Sequence, residues 1–110
     1  MIDETFHTIE NRIEAADSLS PEVKAELLDL LATLQAEIAQ LSETDLDHAQ
    51  SVAGFAHLST HEATRAEKHP QLFKPALKGF SATVVGFEKS HPRLVEIVNR
   101  ISVTLSNMGI

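Results

Sequence analysis

Six histidines are spread through this 110-residue chain, and two of them, His57 and His61, stand four residues apart. On a helix that spacing puts both imidazoles on one face, where they can fill two coordination positions of a divalent ion. Glu62 is adjacent, and Asp47, His48 or a second subunit would have to supply the remaining ligands. At about 100° per residue the same face also carries Gln50, Thr64 and Lys68, and a lysine there repels a cation. The pair therefore reads first as solvated histidines, with a small metal-binding protein as the alternative. Two Glu-x-x-His spacings, Glu4–His7 and Glu88–His91, have the form that di-iron carboxylate bundles use. The first faces away from the apolar stripe of its helix, and the second straddles a helix end before Pro92. Neither reads as half of a di-iron site. His91 is better suited to tuck its ring under a helix corner and hydrogen-bond a loose carbonyl there.

Other chemistry is harder to find. The absence of cysteine removes disulfides, thiolate nucleophiles and cysteine-ligated metals. No glycine-rich phosphate loop, no G-x-S-x-G elbow and no nucleophile-plus-base pair occurs. Tyrosine and tryptophan are missing too, and with them the usual stacking platform for bases and sugars. The expectation is a protein without enzymatic activity, catalytic residues or a cofactor.

Charge narrows the partners. Sixteen acids against nine bases leave a net charge of −7, whereas nucleic-acid binding needs a cationic surface. Most bases fall between Arg65 and Arg100, so the C-terminal half is near neutral and the N-terminal half acidic, which could orient two halves or two subunits head to tail. No apolar run approaches the roughly 18 residues that span a bilayer, and the acids near Met1 do not suit a signal peptide. These features lead us to expect a soluble, cytoplasmic protein of bacterial style, with no nucleic-acid partner and no membrane insertion.

The elements that must carry these residues are helices. Alternating steps of four and three residues place Ile2, Phe6, Ile9 and Ile13 on one stripe, and Val23, Leu27, Leu30, Leu34, Ile38 and Leu41 on another. Phe73, Leu77, Phe80, Val84 and Phe87 form a third, and Leu94, Val98, Ile101, Leu105 and Met108 a fourth. The pattern predicts an all-α bundle of four to five helices with coiled-coil-like seams in a single domain, residues 1–110. The helices are expected over about 2–16, 21–42, 45–68, 73–89 and 92–108. Ser20 and Pro21 are good start signals for the second, and Ser42 or Thr44 could cap the third. The third has a seam of small residues, Leu46, Ala49, Ala53, Ala56 and Ala63, and reads as a mobile arm or a helix ordered by a partner. Gly79 and Gly86 are seven residues apart, so one helix face would carry both and admit a close neighbour. At the end of the chain, Gly109 could form a C-cap that folds Ile110 back toward Leu105.

The corner Gly86-Phe87-Glu88-Lys89-Ser90-His91-Pro92 and the ending Leu105-Ser106-Asn107-Met108-Gly109-Ile110 resemble the DUF4404 family of small bacterial helical proteins. Ser20-Pro21-Glu22-Val23-Lys24-Ala25-Glu26-Leu27-Leu28 is similar to its acidic, leucine-rich first half. The resemblance covers residues 18–41 and 80–110, so 45–68 reads as an addition or a divergent region. It implies a helical fold, and it carries over no function and no catalytic residue. The function expected is a homo-oligomeric scaffold or adaptor, with a further protein partner conceivable. Its assembly surface would be formed by Phe73, Leu77, Gly79, Phe80, Val84, Gly86, Phe87, Leu94, Val98, Ile101 and Leu105.

Overall fold

Ser20 opens the longest of the described helices. In the computed structural model, which describes residues 2–109, the Ser20 hydroxyl oxygen accepts the Val23 N–H at 3.2 Å. Pro21 follows at the first helical position, where its missing N–H costs nothing. The described residues form five helices: α1 (Ile2–Ala15), α2 (Pro21–Ser42), α3 (Leu46–Ala63), α4 (Pro70–Ala82) and α5 (Pro92–Gly109). They contain no strand, so the fold is the all-α bundle that the ladders predict. The cap expected to involve Ile110 lies outside the described residues.

Cross-helix contacts set the directions. Lys24 Nζ donates to the Glu14 carbonyl at 2.9 Å and Gln35 Nε2 to Asp3 Oδ1 at 3.1 Å, so α1 and α2 are antiparallel. Ser59 Oγ donates to the Ala76 carbonyl at 3.0 Å while Phe55 lies over Gly79, which makes α3 and α4 antiparallel. Arg93 reaches Glu37 at 3.6 Å and Thr104 Oγ1 reaches Glu26 at 3.4 Å, so α5 runs against α2. The helices thus alternate up and down. Among the described residues, α2 and α4 both pack on α5 without touching each other, while α3 touches all four other helices.

That central place corrects the expectation for residues 45–68. The segment is neither an arm nor a divergent appendage. Ala49, Val52, Ala53, Ala56, Ser59, Thr60 and Ala63 are buried, and the core closes around them. A helix touching four others must bring several backbones near the usual 8–10 Å spacing at once, which bulky side chains would prevent. Leu46, assigned to the seam, is instead 53% exposed. The helix begins at Asp45, whose Oδ1 accepts the His48 N–H at 3.0 Å, so neither Ser42 nor Thr44 is the cap.

The fourth helix starts and stops earlier than its ladder suggests. Pro70 takes the first position, and Pro75 is tolerated inside the helix. Its missing N–H frees the Gln71 carbonyl, but both residues are exposed and water can serve that oxygen. The helix ends at Ala82, so Val84, Gly86 and Phe87 belong to the connection that follows. Gly86 has φ +94° and makes a turn that residues with a Cβ rarely adopt. It shares no helix face with Gly79, and the glycine strip does not exist.

Gly79 does admit a close neighbour, but from its own chain. A Cβ there would lie 2.3 Å from Phe55 Cε1. The rest of the expected assembly surface is also used internally. Phe73, Phe80, Val84, Leu94, Val98, Ile101 and Leu105 are all buried, and Leu77 and Phe87 pack half-buried against them. The reason is geometric: α3 lies against the seams of α4 and α5 and consumes their apolar area.

The two glycines make separable demands. Gly79→Ala should destabilise the protein by roughly 1–3 kcal/mol through overpacking against Phe55. In a Phe55→Ala background the same change should be neutral or stabilising, because alanine gains about 1 kcal/mol of helix propensity over glycine. Urea unfolding of the four proteins measures the coupling, and equal effects in both backgrounds would refute the contact. Gly86→Ala should cost about 1 kcal/mol in the same assay through its positive φ, with helicity by circular dichroism unchanged.

Candidate functional site

His57 and His61 do share a face of α3, with ring centroids 6.4 Å apart and planes tilted by 56°. The further ligands proposed for them are elsewhere. His48 lies more than two turns earlier on the helix, and its Nε2 meets the Thr83 carbonyl while its ring stacks on Phe87 at 4.6 Å. Asp47 is exposed in the first turn. Among the described residues, no three His, Cys, Asp or Glu side chains converge on one point.

What gathers beside His61 is a structural polar cluster. Thr64 ends α3 and is nearly buried, its Oγ1 donating to the Thr60 carbonyl at 2.7 Å. Arg12, from α1, donates from Nε to Thr64 Oγ1 at 2.6 Å and from Nη2 to the His61 carbonyl at 3.1 Å. Lys68 folds back to the Ala63 carbonyl. Cations at a helix C-terminus both satisfy its orphan carbonyls and favour the negative end of its dipole. Glu62 is 6% exposed and is held by Arg65 Nη1 at 3.1 Å. Removing Arg65 would leave the buried Glu62 carboxylate without its charge partner, so Arg65 neutralises Glu62 at the end of α3.

This setting acts on His61. Burial pushes its pKa below the ordinary value of 6.5, and the positive charges of Arg12 and Arg65 push the same way, with His57 adding to them. Glu62, 3.9 Å away, opposes the shift. The surroundings of His61 thus disfavour its protonated form. Lys68, expected to repel a cation on this face, turns instead to the helix end.

The second polar cluster lies at the 83–91 connection. A carbonyl can only accept, so the His48–Thr83 bond places the proton on Nε2 and lets α3 cap the C-terminus of α4. Phe87 is held between two imidazoles, His48 on one side and His91 edge-on at 5.8 Å. His91 therefore packs against the corner as expected. Its Nδ1 pairs with Ser90 Oγ at 3.0 Å, and the loose carbonyl it was expected to bind goes to His48. Glu4, His7 and Glu88 are all exposed, and His7 makes a 3.7 Å contact with Glu10. The missed residues are Arg12 and the capping role of His48. Arg12 stands among polar and acidic neighbours that give no hint of a partner 52 positions away.

The concavities are open clefts at helix junctions. One, of about 470 Å³, lies where the start of α1 meets the junction of α2 and α3. Two others flank Val103 on α5: about 430 Å³ toward α4 and about 420 Å³ toward α2. Among the described residues, no helix is long and apolar enough to cross a membrane.

Helices closed end to end by each other's side chains, with shallow clefts outside, define a small helical-bundle protein. The chain belongs to the family described as domain of unknown function DUF4404, whose model matches residues 29–110. The match takes in α3, so 45–68 is part of the family region and not an addition. It begins after Ser20–Leu28, which therefore contribute nothing to it. Neither the curated proteins nor the solved structures yield a match to the chain.

The displaced pKa of His61 gives a signed pH dependence. Its folded-state pKa lies below its unfolded value, so the unfolded chain binds more protons in the window just below 6.5. Its share of stability is complete above that window and is lost as the pH falls through it. Urea midpoints at about pH 7.5 and pH 5.5 should differ less in His61→Gln than in wild type. An equal difference would show that His61 does not contribute.

Proposed function

We propose that this protein is a non-enzymatic, homo-oligomeric scaffold or adaptor that acts through contacts between outer helix faces. The observation that carries this reading is the outward placement of Val103. It is 61% exposed at the middle of α5, between two grooves, although the stripe beside it supplies the core. A valine on a ridge between grooves is the element from which helix-to-helix packing is built. Leu58 and Leu72 add exposed apolar side chains on α3 and α4. Three buried hydroxyls have structural uses: those of Ser59, Thr64 and Thr83 donate to backbone carbonyls.

Native mass spectrometry and light scattering over a range of concentrations test the reading. A defined oligomer whose population rises with concentration is expected. A monomer at every concentration would remove the scaffold reading. One metal ion per subunit, lost in a His57→Ala/His61→Ala variant, would replace it with the metal-binding alternative.

A further inference from the structure

Four of the five helices close on each other without the first. Among the described residues, α2 packs on α3, α3 on α4, α4 on α5 and α5 on α2, while α1 touches α2 and α3 only. The four alternate in direction, as in an up-and-down four-helix bundle. The family region divides the chain in nearly the same way: residues 29–110 hold α3, α4, α5 and most of α2, and none of α1. The first helix is thus laid into a groove between α2 and α3. On its inner face Phe6, Ile9 and Ile13 are each at most 1% exposed. Arg12 ties it to Thr64 and the His61 carbonyl, Lys24 holds the Glu14 carbonyl, and Gln35 holds Asp3 near its start. Every one of these ties is made to α2 or α3. None involves residues 16–20, which join α1 to its own chain; there Leu19 packs on the core, and Asp17, Ser18 and Ser20 are exposed.

A groove that holds its helix by contacts independent of the connection accepts the same helix from another chain. We propose that the α2–α3 groove binds α1 of a second copy, so that two chains exchange their first helices reciprocally. The seated α1 defines the occupant: an amphipathic helix with Phe6, Ile9 and Ile13 three and four residues apart, and an arginine just before the last. In the exchanged pair each groove keeps those three side chains and the ties of Arg12, Lys24 and Gln35, and only the connections change course. Ser20 is already extended, with φ −68° and ψ 156°, and Pro21 opposes a single helix running through the joint. A short connection holds α1 in its own groove at an effective concentration on the order of 1 mM, so exchange competes as the chain approaches that range. Freeing α1 also removes Arg12 from the end of α3, so exchange passes through wider unfolding and is slow. An exchanged dimer therefore outlasts dilution, whereas a contact between outer faces reverses quickly. Exchange needs nothing from the Val103 ridge and stands or falls separately from it.

The absence of cysteine lets two variants report whose α1 fills a groove. One chain carries Asp3→Cys and the other Gln35→Cys, replacing side chains that lie 3.1 Å apart between α1 and α2. Circular dichroism confirms that each keeps wild-type helicity. The two are unfolded together in urea, refolded at about 1 mM, diluted to about 10 μM and treated with a short bismaleimide. Peptide mapping by mass spectrometry should find residue 3 of one chain linked to residue 35 of the other, in a dimer that survives dilution. The same chains refolded apart and mixed at about 10 μM should give at least tenfold less of that link. Wild type refolded at about 1 mM should likewise yield a dimer that persists for hours after dilution, which decides the matter if either variant loses helicity. Absence of the link between chains, or a wild-type dimer that dissociates at once, would overturn exchange. A rapidly reversible oligomer without the link would leave association through outer faces standing. A monomer throughout would overturn both.

Discussion

The bundle depends on how closely α3 can be approached. A helix that touches four others must admit several backbones at once, and its buried positions are correspondingly mostly alanine, serine and threonine, with one valine and the ion-paired Glu62. Each small side chain gives up burial of its own, on the order of 0.8 kcal/mol per methylene forgone. In exchange the large residues of α1, α2, α4 and α5 meet across a thin central element and exclude water from each other. The contact of Phe55 with Gly79 is the same accommodation in reverse, a large residue on α3 admitted by the absence of a side chain on α4. Ser59 completes that interface with a hydrogen bond to a backbone carbonyl, which a helix pair can form only at short range.

Much of this architecture was legible in the residues, and the exceptions have a common cause. The ladders of α1, α2 and α5 belong to helices with one wet and one dry side, so apolar periodicity reports their orientation. The central helix buries a stripe made mostly of alanine, serine and threonine, whose small side chains contribute little to any periodic signal, so a well-packed segment looked like the weakest. The ladder of α4 misled differently. Val84 and Phe87 continue its spacing and are sheltered by the core, yet both follow the end of the helix at Ala82, and a turn at Gly86 lies between them. Apolar spacing records which residues reach the interior and is silent on whether an unbroken helix delivers them.

The polar residues were less legible because their roles depend on long-range neighbours. The spacing of His57 and His61 placed them on one face but could not reveal the burial beside His61 or Arg12, which enters from another helix, the two largest causes that hold the His61 pKa down. His48 and His91 are far apart in the sequence and converge on one phenylalanine ring. Which of them takes the carbonyl at the end of α4 is decided by the direction in which α3 passes, and no local motif encodes that.

Among the described residues, three helix ends are closed by side chains from other helices: α1 by Lys24 of α2, α3 by Arg12 of α1, and α4 by His48 of α3. An isolated helix frays from its termini at almost no cost, and that fraying is where amide protons first exchange with solvent. Here, releasing one of these ends also breaks a contact that positions a second helix. Local opening is thereby tied to the separation of helices, and the last turns of α1, α3 and α4 should hold their amide protons nearly as long as the core does. The chain would then unfold as one cooperative unit, with few partly open forms to expose its apolar interior.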